Sequence, residues 1–511
     1  MTGRIGAGRK TPDLARIAAL TLALLALGGC VSMAPDAEQP DLVAQMPDAF
    51  EQSRAVSSVG YQPQNWWRAF EDPVLDKLVA DALTSNLDIS EAAARLAQVS
   101  AQARISRAAL LPAVNASGGA TSTSTPIDGL AFGDLGGGAI DRIDNEAYTL
   151  DLGASYELDL FGRARDDYRA GRRDAIASAQ DLKTVQLTAA AETISAYFDY
   201  VDFARQITLT QHTAEVLRDR AQRTNERFGR GLVDSLELYQ IRQDLRATES
   251  SLPQLRSSLA ATKSRLALLL GTYPDTLDET LSQTLQPRLV FDPVPSGLPS
   301  DLLAQRPDVA AGWARLDAAR LRIGARRAER FPTLSLTASI GTQSGRVAGA
   351  FDFANNWASS LAASIVAPIF DGGRISANIA SARATYDQQA AAYARSVITA
   401  FGEVESALAD YEQQRERYAL IASQLAEARS SLDLQKRRFE AGVGGYLAYL
   451  DALRTVYQVE ISISSAARAT ALARLGVHRA LGGDWTRGDR VADAQSAKIE
   501  MQSADDQGEA Q

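Results

Sequence analysis

Cysteine is nearly missing from this chain, with one in 511 residues, and histidine occurs twice, as His212 and His478. Zinc sites and Cys/His dyads are hard to assemble from so few, widely separated groups. No catalytic constellation or cofactor site emerges, so an enzyme is the least expected class. Net positive charge is missing too. The formal charge is −9 and the pI near 5.1, which leaves no basic face for neutralising phosphates and excludes nucleic acid as a partner. Proline is absent from residues 127–252 and 369–511, and between Arg374 and Ala441 the only glycine is Gly402. Such segments can run as unbroken helices, about 96 Å long for 64 residues.

What is present begins at the N-terminus. Arg4, Arg9, Lys10 and Arg16 form a basic region, and Ile17 to Leu27 is an apolar run of eleven residues. Eleven residues are too few to span a bilayer but suit a secretory signal. The sequence Leu27-Gly28-Gly29-Cys30 follows at once and resembles a bacterial lipobox, in which the thiol of Cys30 is acylated and becomes the mature N-terminus. Acyl chains hold a protein to a membrane at about 0.8 kcal/mol per buried CH₂. Val31 stands where an Asp would signal retention at the inner membrane, which favours the cell outer membrane as the place where Cys30 anchors the chain.

The chain then repeats itself. Arg163 is followed 64 residues later by Arg227 in RFGRGLVDSLELYQ, and Arg374 is followed 64 residues later by Arg438 in RFEAGVGGYLAYLD. Both pairs are offset by 211, as are Leu270-Gly271 and Leu481-Gly482. Upstream, Asp88 and Pro112 match Asp308 and Pro332 at an offset of 220. Each copy reads helix, strand, loop, strand, long helix, tight turn, helix. In YTLDLGASYELDLFGR the residues Tyr148, Leu150, Leu152, Ala154, Tyr156, Leu158 and Leu160 alternate with polar ones, the period of a strand with one apolar face. Strands are expected at about 113–123, 148–160, 333–343 and 357–369. An apolar face opposite a polar one, at this length, is the pattern of a membrane barrel strand. Four strands cannot close such a barrel, and an open edge in lipid leaves backbone groups unpaired, so several copies must associate.

The turns carry local chemistry. Gly231 and Gly442 suit helix ends that need φ > 0, and Asp234 with Glu237 makes a capping box. Gly444-Gly445 replaces Val233-Asp234 in the second copy, which lacks that cap. Pro253 stands where the second copy has Ser464, and a kink is expected there. Glu157 and Asp159 lie on the polar side of the second strand, where they keep a wall wet or favour cations.

NWWRAFEDPVLDKLVADAL, NLDISEAAARL, RAALLP, YELDLFGRARDDYRAG, RFGRGLVDSLELYQIR, LALLLG, LAQRPDVAAGWARLDAAR, FPTLSLTASIG, PIFDGGR, YLAYLDALRT and ALGGDW, between Trp66 and Trp485, resemble the TolC-like outer-membrane efflux factor family. The resemblance is to its lipoprotein branch, typified by OprM and serving resistance-nodulation-division efflux systems. It implies an α+β membrane protein: a trimeric, twelve-stranded outer-membrane β-barrel, with four strands per chain, continued by a long periplasmic α-helical barrel and built from two internal repeats. The corresponding organisation is a signal peptide at 1–29, a lipidated segment at 30–72, a first repeat at 73–272, a linker at 273–300, a second repeat at 301–485 and a polar tail at 486–511, expected to be disordered.

The resemblance also implies sites and partners. The tips Arg230, Gly231, Leu232, Val233 and Asp234, and Gly442, Val443, Gly444 and Gly445, correspond to those that meet a periplasmic adaptor (membrane fusion) protein. YLAYLDALR matches the family's aperture segment, so Leu447, Asp451 and Arg454, at i, i+4 and i+7 on one helix face, are implied as a periplasmic gate, with Arg454 a candidate partner for Asp451. The first copy has Leu236, Gln240 and Gln243 there. Further implied partners are two more copies of the chain, outer-membrane lipid, and an inner-membrane proton-driven pump, reached directly or through the adaptor. The expected role is a passive duct exporting drugs or other small toxic compounds. The alternatives are a channel for type I protein secretion and a lipid-anchored coiled-coil scaffold without a pore.

Overall fold

A computed structural model of the chain describes residues 32–38, 40, 43, 47, 50, 66–126, 142–282 and 306–483. Cys30, the signal peptide, residues 283–305 and the tail from 484 lie outside the described residues. The element order is α1 (Pro73–Ser85), α2 (Leu87–Ala108), β1 (Ala113–Pro126), β2 (Arg142–Leu158), α3 (Arg163–Gly229), α4 (Ser235–Leu269), α5 (Asp278–Ser282), α6 (Pro307–Ala328), β3 (Thr333–Ser344), β4 (Trp357–Val366), α7 (Arg374–Glu440) and α8 (Tyr446–Ala480). The helices α3 and α7 have 67 residues each and α4 and α8 have 35 each. Contacts divide the chain into two units, Met1–Glu38 with Ala97–Ile176 and Ala314–Ala390, and Gln39–Leu96 with Ala177–Trp313 and Ala391–Gln511.

The first unit holds the sheet, in the order β1-β2-β3-β4, with every neighbouring pair antiparallel. The register brings Leu152 opposite Ala116 and Ile340, and Leu336 opposite Tyr156 and Ala363. Paired residues share a face, so the apolar side chains of the four strands merge into one surface. On the other face Ser339 and Ser360 hydrogen-bond at 2.8 Å. The apolar surface stays open: Ile340 is 56% exposed, Ile365 71% and Leu361 83%. Apolar area of that kind, left uncovered on every strand, suits lipid rather than water.

Strand ends follow backbone chemistry. β2 begins at Arg142, well before the alternation starts at Tyr148, because Pro126 to Thr121 of β1 continue to pair with it. β4 stops at Val366, just before Pro368, which has no N–H for a ladder. The two acids on the polar side of β2 and just beyond it are also engaged at the strand-to-helix junction. Glu157 accepts from Arg163 Nη2 at 2.8 Å, and Asp159, beyond the strand, accepts from the Arg165 backbone N–H at 2.8 Å. They neutralise and cap the start of α3. Asp371 does the same for α7, accepting from the N–H groups of Gly373 (2.9 Å) and Ile375 (2.8 Å). Below the strands Phe161 stacks on Phe331 with centroids 4.6 Å apart, and Arg173 pairs with Asp317 at 2.7 Å.

The second unit is helical, with its main core where α1 packs on α3 and α4. Phe70, Leu75, Leu78 and Val79 meet Ile194, Tyr197, Leu266 and Leu270 there, all nearly or fully buried. Asp72 caps α1 through the N–H groups of Val74 and Leu75, and its other oxygen accepts from the Tyr197 hydroxyl. The proline-rich stretch expected as a linker starts as helix: Pro274 opens a 3-10 turn, α5 follows, and Leu277 and Leu281, spaced i, i+4, enter this core. The two copies share details as well as lengths. Asn86 Nδ2 donates to the Leu269 carbonyl at 2.8 Å, and Arg306 Nη1 donates to the Ala480 carbonyl at 2.9 Å. Arg218 pairs with Glu249, and Arg429 with Glu460, both at 2.8 Å and both at the offset of 211. α4 continues through Pro253 as one helix.

Candidate functional site

Each long helix ends in the same turn. At the first, Gly231 has φ 72°, its N–H donates to the Phe228 carbonyl at 2.9 Å, and the Leu232 N–H donates to Arg227 at 2.9 Å. At the second, Gly442 has φ 72°, its N–H donates to Phe439 at 3.0 Å, and Val443 N–H to Arg438 at 3.0 Å. Both are Schellman closures, which satisfy terminal carbonyls and require a left-handed residue. The hydrophobic residue that ordinarily folds back is left outside in both: Leu232 is 62% exposed and Val443 71%. Arg230 and Val233 complete the first tip as turn residues.

The following helices start differently. Asp234 caps α4, accepting from the Glu237 N–H at 2.9 Å. The reciprocal half of the expected capping box is missing among the described residues: Glu237 Oε1 has no hydrogen-bond partner, and burial pushes its carboxyl up against the opposing pull of Arg227. Gly445 occupies the cap position of α8 with no side chain to offer. Gly444 is there for space, since a Cβ would lie 2.9 Å from Arg438 Cβ and 3.1 Å from its carbonyl carbon.

Leu447, Asp451 and Arg454 lie on the first turns of α8. Leu447 is 51% exposed, and Asp451 has no ion-pair partner among the described residues. The expected Asp451–Arg454 pair is not formed. Arg454 Nε lies 3.9 Å from Asp244 Oδ1 on α4 instead, with the arginine side chain 64% exposed. Asp244, not legible as a partner from either helix alone, is the less exposed of the two groups. A pair this long and this exposed is worth about 0–1 kcal/mol.

Other contacts tie α8 to α3. Arg220 Nη2 donates to Tyr449 Oη at 3.1 Å while its guanidinium lies 5.1 Å from the ring centroid, and Tyr449 stacks on Phe439 at 5.9 Å. Further along, Thr210 bonds Tyr457 at 2.9 Å and Ser464 donates to the buried Asp202 at 2.6 Å. Leu450 fills a small core with Ala214, Leu217, Ile241 and Leu245. Val456 and Val459 pack with Leu425 and Ala428 of α7, so the N-terminal part of α8 is held by polar rungs together with apolar packing on both neighbours.

Residues 78–272 and 298–483 match the outer membrane efflux protein family. The chain belongs to that family. This outer membrane efflux protein is 32% identical to outer membrane protein OprJ of Pseudomonas aeruginosa, over 92% of its own length and 96% of the relative's. It is 31% identical to the toluene efflux pump outer membrane protein TtgF of Pseudomonas putida, over 91% and 96%. Among solved structures, a membrane protein from Pseudomonas aeruginosa superposes with a TM-score of 0.80 at 30% identity, covering 88% of this chain and all of that one. No helix among the described residues of this efflux protein is long and apolar enough to cross a membrane. Four strands with an uncovered apolar face remain the elements suited to lipid.

Proposed function

We propose that the protein is the outer-membrane channel of a tripartite efflux pump, a passive duct for drugs or other small toxic compounds. The family match over both halves of the chain carries this reading. The relatives are named for efflux, in one case of toluene, and none of those compared above is named for protein secretion. The sheet supports assembly: β1 and β4 each have one strand neighbour, so a single copy has two open edges. Three copies would give twelve strands and close the ring, anchored in outer-membrane lipid by acyl chains on Cys30. The matching helix lengths and ion pairs support an ancestral duplication.

In this reading the exposed Leu232 and Val443, with their flanking tip residues, meet the periplasmic adaptor, and an inner-membrane proton-driven pump supplies the energy. Leu447 forms the apolar constriction, the unpaired Asp451 faces the aperture, and the Arg454–Asp244 contact holds α8 to its neighbour in the closed state. Contacts worth about 0–1 kcal/mol each suit an aperture that adaptor binding can open by favouring the splayed state. The test is deletion of the gene followed by growth across a panel of antibiotics, dyes and metals. Increased sensitivity to several compounds is expected, and unchanged sensitivity to all would remove the efflux assignment.

A further inference from the structure

Ser32 to Pro35, at the head of the described chain, lie against the first turns of α3 and the body of α6. The Ser32 hydroxyl donates to the Asp166 carboxylate, 2.8 Å from Oδ2 and 2.9 Å from Oδ1, and Asp166 has no exposed surface. The Ala34 N–H donates back to Ser32 Oγ at 3.2 Å. Arg327 Nη1 donates to the Met33 carbonyl at 3.1 Å and Arg320 Nη1 to the Pro35 carbonyl at 2.7 Å. Ala34 packs on Ala170, Ala318 and Leu321. The seat exists because α6 carries a glycine at this turn: a Cβ on Gly324 would lie 2.5 Å from Asp166 Oδ2 and 2.6 Å from the Ala34 nitrogen. Burial pushes the Asp166 carboxyl up, and the Ser32 hydroxyl is the strongest influence opposing it. A buried carboxylate in a helix is costly unless bonded; Arg169 Nη1 of the same helix reaches Asp166 Oδ1 at 3.5 Å, and the shorter bonds come from this peptide.

We propose that Ser32–Pro35 is a strap in a seat built for it, and that the seat holds the lipid anchor of the mature chain at a fixed level beside the foot of the sheet. Asp166 follows the end of β2 by eight residues and α3's start by three. Only Val31 separates Cys30 from Ser32, and two residues reach at most about 7 Å. The role rests on the lipoprotein reading of Cys30. An acyl group on a leash this short is not a loose tether: with each buried CH₂ worth about 0.8 kcal/mol, it fixes the height at which the sheet sits in the bilayer. The recognition is of backbone and small side chains. Two arginines read carbonyl groups, Asp166 reads a hydroxyl, and Gly324 lets the peptide approach.

The test uses the full chain in outer-membrane fractions, with Ala34→Cys added and thiol labelling by a maleimide followed over time. Ser430→Cys, on an exposed helix position, gives the reference rate. Protection of a docked segment predicts labelling of Ala34→Cys about tenfold slower than the reference. Gly324→Leu, which fills the seat, is expected to bring the two rates together, and Arg320→Ala serves if that variant fails to reach the membrane. Equal rates with the seat intact overturn the strap, as does protection that survives both seat variants. The unsubstituted chain separates the two readings. Acylated Cys30 gives no label, whereas labelling there overturns the lipid anchor and with it the anchoring role, leaving Ala34 to report on the strap alone.

Discussion

At the scale of single residues, the Arg454–Asp244 contact matters for what it exchanges. Opening the joint replaces an exposed ion pair by water on both groups, so the cost is small and the equilibrium is easily moved. Arg454→Ala and Asp244→Ala are each expected to raise single-channel conductance in a planar bilayer. Their double variant should exceed either single one by little, because both remove the same contact. Unchanged conductance in both single variants would deny the pair a gating role. His478 poses a different case. It is 3% exposed, and burial, with Arg474 nearby, holds its imidazole well below the ordinary value of 6.5. The folded chain therefore refuses a proton that the unfolded chain accepts once pH falls below about 6.5, and stability drops there. Tm should fall less steeply between pH 7 and pH 5 in His478→Gln than in the parent chain, measured by thermal melts in detergent. Glycines with left-handed φ and the Asp234 cap were legible from sequence, because turns demand particular residues. Asp244 and the Asp166 seat were not, since their partners lie 210 and 134 positions away and no local pattern marks such distances.

At the scale of elements, the two tips make a matched comparison. One helix starts on an aspartate cap and the other on a bare glycine at φ −71°, ψ 143°, an extended conformation open to any residue. Asp234→Ala should cost about 1 kcal/mol at the first tip and Gly445→Asp should gain a few tenths to 1 kcal/mol at the second. Hydrogen exchange at the Glu237 and Ala448 amides reads the two changes separately: faster at the first, slower at the second. The reverse order would mean that the caps do not control tip order. The two 67-residue helices were foreseeable in kind and nearly in length, because no proline lies in 127–252 or 369–511 and a glycine closes each. The strands were less so. Arg142 to Ala147 has polar residues on both faces and still pairs with β1, so hydrogen bonding extends β2 where side-chain alternation has ended. Period two puts Glu157 and Asp159 on the polar side, but it does not show that the arginines opening α3 bond both.

At the scale of the whole molecule, the open sheet edges require association, and their number per chain leaves the count of copies to resemblance. Detergent-extracted protein is expected at three chain masses by multi-angle scattering, and at one chain mass on gels only after heating. A monomer stable in detergent would be incompatible with the shared barrel. The proposed duplication rests on the 211-residue echo, because a repeated plan leaves its punctuation of glycine and arginine at fixed intervals. The seat of residues 32–35 has no counterpart in that echo, so no repeated pattern marks it in the sequence. The twin pairs Arg218–Glu249 and Arg429–Glu460 give the chain an internal replicate. One contact is present at the same length in two different sequence backgrounds, so a double-mutant cycle at each would separate what the pair itself contributes from what its surroundings add, within one polypeptide and one sample.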